Sequence, residues 1–279
     1  MMLEEVYILW FNDYGIDKKT AREDERKWAV YIRPTFGRLE IDSLDYTSVR
    51  QWHRQITTQR GPVMANRALT LLTTVCRYAV SALRITTVDP TAAVRANTER
   101  SRTRYLTPVE VSGIFRALDT FRAKDPKGCA FIELAALTGA RKGELESVSW
   151  GDIHENVIVL KNHKTDELTG RPRVIHLPQA ARDVLARLKT GAPASLVLGH
   201  SPRGLWDRVR EAAGLWDVHL HDLRHTLASI LISHHGASLK DVADLLGHTN
   251  TGTANRYAHL MQEAASNLSE AASKTLMGC

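Results

Sequence analysis

The sequence predicts a mainly α-helical protein in two parts: an all-helical N-terminal domain, and a helical C-terminal domain carrying one small antiparallel β-sheet. Three observations predict this. Apolar residues recur at helical spacing through most of the first hundred positions. The stretch RANTERSRTRYL, 95–106, has almost no apolar content and reads as an extended basic linker between domains at 1–94 and 107–279. The period changes to short β-rich runs only at 157–160 and 173–177. A length of 279 residues also exceeds the usual size of one domain.

Each element has a local reason. From Lys19 to Tyr31 charges and apolar residues alternate as on a helix, which Pro34 and Gly37 should end. A second helix is expected from Tyr46 to Thr58, with Thr47 as N-cap and Val49, Trp52 and Ile56 on one face. Pro62 to Leu83 gives a third, whose stripe of Leu69, Leu72, Val75, Cys76, Ala79 and Leu83 leaves Arg67, Thr74 and Arg77 outside it. Thr107-Pro108-Val109-Glu110 then supplies an N-cap, a proline at the first helical position and an acid in the first turn. Two helices should follow, then strands 157–160 and 173–177 joined by a long polar loop, then helices from about Pro178 to the end.

Composition narrows the function classes. With 43% hydrophobic and 24% charged residues the chain is an ordinary globular one, not a disordered one. No run approaches the roughly 18 apolar residues of a spanning helix, and the acidic start MMLEEVYILWF is unlike a signal peptide, so a cytoplasmic protein is expected. Three scattered cysteines, Cys76, Cys129 and Cys279, form neither a disulfide framework nor a zinc knuckle. The net charge is +6, of which residues 1–106 supply +5, from 17 basic and 12 acidic side chains. That distribution suits a polyanion partner without proving one.

Four segments concentrate Arg, His, Lys and Tyr. In LTGARKGELESVSW, Gly139 suits the left-handed residue that closes a helix, which puts Arg141 at the start of the next with Glu144 on the same face. The polar hairpin loop carries Lys161 and Lys164. In HLHDLRHTLAS, His221 and Arg224 share a helical face, and His225 lies one turn from His221. In LLGHTNTGTANRYAHL, Gly247 can close a helix before His248, and Tyr257 follows nine residues later. Taken singly, each has a plain structural explanation: a surface ion pair, a solvated lysine, capping histidines, a core tyrosine. The spacing His221-x-x-x-His225 invites a zinc reading, which Arg224 between the two ligands and Asp222 in place of a catalytic glutamate argue against.

Taken in order, TGARKGE, the Lys164 loop, HDLRHT, LLGH and RYAHL resemble the tyrosine recombinase (phage-type integrase) family. The likeness extends to IRPTFGRLEIDSL, MANRALTLLTTVCRYAV and VDPTAAV, which are similar to the core-binding domain of prophage and genomic-island integrases. The resemblance implies a catalytic set of Arg141, Lys164, His221, Arg224, His248 and Tyr257, positioned by Glu144, in a DNA strand-exchange enzyme that needs no cofactor and no metal. Arg141 and Arg224 would bracket the phosphate with His248 as a further donor, Tyr257 would form a 3′-phosphotyrosyl bond, and Lys164 would protonate the leaving 5′-hydroxyl. The proton of Tyr257 is expected to pass to His221.

The partners implied are double-stranded DNA at attachment or core sites, further copies of the chain up to a tetramer on paired sites, and accessory DNA-bending or excision factors; no membrane is expected. Arg67, Arg100, Arg102 and Arg104 are the candidate DNA contacts. The chain starts almost directly at the core-binding domain, where many integrases carry an additional arm-binding domain. After Tyr257, a stripe of Leu260, Ala264, Ala265, Leu268, Ala272 and Leu276 is expected to dock on a neighbouring protomer. Two competing functions share parts of this reading: a type IB topoisomerase-like nicking and resealing enzyme, and a non-cutting DNA-binding protein, which would have no need of Tyr257.

Overall fold

Placing the candidate residues requires only a few chain reversals, and these are set by caps, prolines and glycines. The computed structural model describes residues 1–99, 104–161, 170, 172–247 and a few positions beyond, Tyr257 among them. It divides into two compact units, Met1–Ser101 and Arg102–Cys279.

The first unit contains α1 (Leu3–Trp10), α2 (Ala21–Lys27), α3 (Arg33–Phe36), α4 (Tyr46–Arg60) and α5 (Pro62–Tyr78). The helix expected to stop at Pro34 instead winds on through a π-helical turn, Trp28–Ile32, into α3. Pro34 thereby falls in a first turn, where its missing N–H is not needed. The N-cap of α4 is Asp45, whose carboxylate accepts from the Ser48 amide at 2.7 Å, and not Thr47. On α5, Leu69, Leu72, Val75 and Cys76 face the core as the periodicity requires, with Ala79 in the π-helical turn that follows. Aromatic packing closes this core, with Tyr7 stacked on Trp28 at 4.0 Å between centroids.

The expected linker is not free at either end. Asn66, buried on α5, accepts from the Asn97 amide at 2.8 Å and donates to Asn97 O and to Glu99 Oε1 at 2.9 and 2.8 Å. His53 Nε2 lies 3.1 Å from the same Asn66 oxygen. Residues 97–99 are thus fastened to the first unit, whereas Leu106 N donates to Thr226 Oγ1 at 2.9 Å inside the second. Arg100 and Arg102 lie outside the described residues.

In the second unit Thr107 and Glu110 form the expected capping box at the start of α6 (Pro108–Phe121). Then come α7 (Pro126–Thr138) and α8 (Lys142–Ser147), one helix more than the sequence indicates before the strands. The sheet has three strands in order, β1 (Ile153–His154), β2 (Val157–Leu160) and β3 (Arg173–His176). β2 and β3 are antiparallel with Ile158 opposite Ile175 and Leu160 opposite Arg173. At two residues, β1 is too short to show a period. Among the described residues four helices follow: α9 (Gln179–Ala186), α10 (Arg203–Ala212), α11 (Asp222–His235) and α12 (Leu239–Leu246). One core joins α6, α7, the sheet, α9 and α10; a smaller one gathers Ala228, Ile232, Val242, Leu246 and Tyr257.

Among the described residues no helix is long and apolar enough to cross a membrane. The stripe expected at 260–276 lies outside the described residues.

The Asn66 amide serves four partners, so Asn66→Ala should cost about 2 kcal/mol, the typical penalty for orphaned buried polar groups. Denaturant unfolding would measure this, and limited proteolysis should show new cleavage between residues 95 and 101. An unchanged cleavage pattern would show that the amide does not hold this segment.

Candidate active site

Two left-handed glycines set the site. Gly139 (φ +63°) ends α7 and turns the chain so that Arg141 becomes the N-cap of α8. Gly247 (φ +67°) ends α12 immediately before His248 in the sequence. A side chain is excluded at both: a Cβ on Gly139 would lie 2.5 Å from Leu246 Cδ2, and one on Gly247 2.7 Å from the Arg173 guanidinium carbon.

Around these turns the fold gathers three arginines and one carboxylate. Glu144 is fully buried; its Oε2 accepts from the Arg141 amide and its Oε1 from Arg141 Nη1, both at 2.8 Å. Arg173 Nε approaches the same Oε1 at 3.4 Å. Burial alone would raise the Glu144 pKa, but the Arg173 charge and the Arg141 hydrogen bonds outweigh it and hold the carboxyl below its ordinary value. Arg224, 2% exposed, is pushed down to about 10 by burial and by the Arg141 charge, and so remains a cation at neutral pH.

The remaining donors go to the end of one helix. Arg173 reaches Leu245 O at 3.2 Å, Arg224 reaches Leu246 O at 2.8 Å and Arg141 reaches Gly247 O at 2.9 Å. Three consecutive carbonyls at the negative end of α12 each face a different guanidinium. Arg224 also donates to Gly139 O. Three positive groups against one negative leave the cluster cationic, and each guanidinium has further N–H donors.

α11 brings the histidines. His221 is its N-cap and is exposed, and Asp222 fixes the entry by accepting from the His219 amide at 2.8 Å. A small cleft is lined by Ala135, Ala140, Lys142, Leu220, His221 and Arg224. One turn along, His225 Nδ1 lies 2.5 Å from the Tyr257 hydroxyl, and its ring sits edge-on to His221 with centroids 4.8 Å apart. Tyr257 is fully buried.

The structure therefore joins Arg141 to Glu144 directly, brings Arg224 to the same helix end through the Leu246 carbonyl, sets His221 beside Arg224 at one cleft, and places Tyr257 against α11. The phenol contacts His225, whereas the sequence reading assigns its proton to His221. His248 and Lys164 lie outside the described residues. Arg67 is exposed on α5. Arg104, expected to contact DNA, pairs within its own unit with Glu110 and with Asp217, the latter at 2.8 Å. Among the described residues no group of His, Cys, Asp or Glu could hold a metal ion.

Sequence reasoning missed Arg173, Lys142 and His225. Arg173 had a signal: in β3 it shares a face with buried Ile175, and an arginine on a core face requires a built partner. The first unit also holds a cavity that no motif marked, lined by Tyr46, Arg50, His53, Arg54, Arg95 and Asn97 among others.

Comparison with known proteins places this geometry in a family. Residues 104–264 match the model of the phage integrase family, and the chain belongs to that family. Tyrosine recombinase XerC of Staphylococcus epidermidis is 29% identical over 170 residues, covering 55% of this chain and 56% of that protein, so the match spans little more than half the relative's length. Two solved structures share the fold. A lambda integrase dimer bound to a COC′ core site superposes with a TM-score of 0.71 at 23% identity, over 91% of this chain and 75% of that one. The Tn1549 transposon integrase in complex with transposon right end DNA gives 0.74 at 17% identity, over 97% and 99%.

Neutralising the shared carboxylate should be costly, because Arg141 and Arg173 would lose their common counter-charge. Glu144→Gln is expected to destabilise the second unit by about 3 kcal/mol, read as an early melting transition. A parental melting profile would show that the α12 carbonyls suffice to hold the arginines.

Proposed function

We propose that the chain cuts and rejoins double-stranded DNA at specific sites through a covalent 3′-phosphotyrosyl intermediate, for integration and excision of a mobile element. The observation that carries this reading is the convergence of Arg141 and Arg224, 83 positions apart in the sequence, on one helix end, with Arg141 also held by the Glu144 carboxylate, beside a helix whose His225 contacts the Tyr257 hydroxyl. Such a cationic cluster fits a phosphodiester that gains negative charge in its transition state, and it supplies that compensation from side chains.

The step balances as follows. The Tyr257 oxygen attacks phosphorus and forms a P–O bond, its proton passing to an imidazole, His221 by the resemblance, once the phenol has left the His225 Nδ1 it contacts at rest. The bond to the 5′-oxygen breaks as that oxygen takes a proton from Lys164, the acid assigned by the resemblance. Arg141, Arg224 and His248 stabilise the non-bridging oxygens, and Glu144 positions Arg141. The 5′-hydroxyl of a second strand reverses the step, so no external energy source enters. A buried Tyr257 must leave its cluster before it can attack, so rearrangement precedes cleavage.

The 1–94 and 107–279 regions serve in this reading as a core-binding domain and a catalytic domain. Two clamps on a duplex and exchange between two duplexes imply assembly up to a tetramer on paired sites, and a DNA substrate places the work in the cytoplasm. Arg50, Arg54 and Arg95 share one cavity and, with exposed Arg67, are the first unit's phosphate contacts; Arg100 and Arg102 are assigned to the same role by their position.

Incubation with DNA from the ends of the parent element should yield a protein–DNA adduct on a denaturing gel. Tyr257→Phe should abolish it and leave affinity nearly unchanged, since affinity comes from many phosphate contacts. Adducts that persist in the phenylalanine variant would remove Tyr257 from the mechanism. Exchanging Arg50, Arg54 and Arg95 together for alanine should weaken binding to all sequences alike and reduce the log–log salt slope by about 3, roughly one per phosphate contact. A parental slope would place these side chains off the DNA.

A further inference from the structure

Arg173 belongs to none of the motifs that mark the chemistry, yet it touches both Glu144 and the end of α12, where Arg141 and Arg224 are held. We propose that Arg173 is a positioning residue for strand cleavage: it sets the Gly247 turn and the Glu144 carboxylate so that Arg141 meets the phosphate in register. The inference rests on the recombinase reading above.

The first argument is cost. β3 alternates buried and half-buried residues, and Arg173 occupies a buried position at 4% exposure. Removing a guanidinium from water costs several kcal/mol unless charge and hydrogen bonds replace the solvent. An apolar residue there would extend the face of Ile175 at no such cost, so the site is built around the cation. Its partners are specific: Nε faces Glu144 Oε1 at 3.4 Å, Nη1 donates to Val174 O at 2.6 Å, and both Nη atoms reach Leu245 O at 3.2 Å.

The second argument is what those partners do. Glu144 Oε1 is shared with Arg141, so the carboxylate cannot turn without moving both arginines. Leu245 O is the first of the three carbonyls that receive Arg173, Arg224 and Arg141 in turn. Gly247 lies against the guanidinium so closely that a Cβ would approach Cζ and Nε to 2.7 Å. The planar group therefore acts as the floor on which the turn before His248 rests. Lysine cannot reproduce this, because one ammonium lacks the flat fork that serves a carboxylate and a carbonyl together. β3 is also the strand that leads out of the loop bearing Lys164, so one side chain ties that strand to α8 and α12.

The test uses the full chain as Arg173→Ala and Arg173→Lys, with Gly247→Ala attacking the same contact from the other side. Three quantities are read: thermal melting, affinity for a half-site duplex, and the single-turnover rate of Tyr257 adduct formation at saturating protein. Affinity should stay at the parental value in all three. The adduct rate should fall on the order of 100-fold, as expected when reacting groups are displaced by about 1 Å. Millimolar methylguanidinium should restore much of the rate to Arg173→Ala and none to Gly247→Ala, whose guanidinium is already in place. Arg173→Lys, which keeps a cation, covers the case in which the alanine variant fails to fold.

Parental adduct rates in the arginine variants would overturn the inference. So would affinity and rate falling together, or a loss of rate in Arg173→Ala that methylguanidinium leaves untouched, since either marks a merely structural side chain. If the parent protein binds the duplex and forms no adduct, the recombinase reading itself fails and takes this inference with it. If the parent cuts and the arginine variants cut equally well, only the role of Arg173 is lost.

Discussion

The second unit must hold three guanidinium groups in a small volume without letting them push apart. Two unit charges about 4 Å apart repel by roughly 4 kcal/mol at an effective dielectric near 20, a large fraction of the stability of a domain. One buried carboxylate, Glu144, answers two of the three arginines. The other counterweight is the last turn of α12, whose carbonyls at 245, 246 and 247 each take one arginine. A helix C-terminus carries about half a negative charge, concentrated on these unpaired carbonyls. It supplies negative potential with no second carboxylate, which would compete with a phosphate for the same cations.

Much of the local architecture follows from that solution. α12 must end where the arginines are, and Gly247 ends it in a conformation that leaves its carbonyl aimed at Arg141. α7 must end nearby, and Gly139 does so while offering its own carbonyl to Arg224. Arg141 then caps α8 with its backbone while its side chain takes the helix's first buried acid. The capping pattern and the charge cluster are the same set of atoms. The cluster stays cationic after all internal pairing, and that surplus is the electrostatic basis of the proposed attraction for a phosphodiester.

How much of this the sequence discloses depends on whether the signal is local. The capping box at Thr107 and Glu110, the glycine caps at 139 and 247 and the pairing of Arg141 with Glu144 are legible because each is settled within a few residues. Pro34 misleads, since a π-helical turn upstream moves it into a tolerated first turn, and such a turn leaves no mark in the periodicity. Asp45 and Thr47 both offer capping oxygens, and only the backbone geometry chooses between them. The tethering of Asn97 and Glu99 to Asn66 links positions more than thirty residues apart, so a stretch that reads as linker is partly built into the first unit. Arg173 stands between these cases: its burial follows from strand alternation, but its partners at 144 and 245 come only from the tertiary fold.

His225 shows why the last step of such a reading needs coordinates. His221 and His225 lie one turn apart, and the family resemblance points to His221 as the partner of Tyr257, whereas the phenol contacts His225. The structure separates them by environment: His221 is the exposed N-cap beside Arg224, and His225 is buried with its Nδ1 on the phenol. The burial of Tyr257 beside that contact also sets the energetics of the proposed nucleophile. Tyr257 sits in a cluster with Ala228 and Ile232 of α11 and Val242 and Leu246 of α12, and withdrawing a side chain of this size from such a core costs about 2–3 kcal/mol. Leu246 is also the residue whose carbonyl receives Arg224. A movement that frees Tyr257 therefore loosens packing on the very turn that holds the arginines, so the proposed nucleophile and the arginine cluster cannot be adjusted independently.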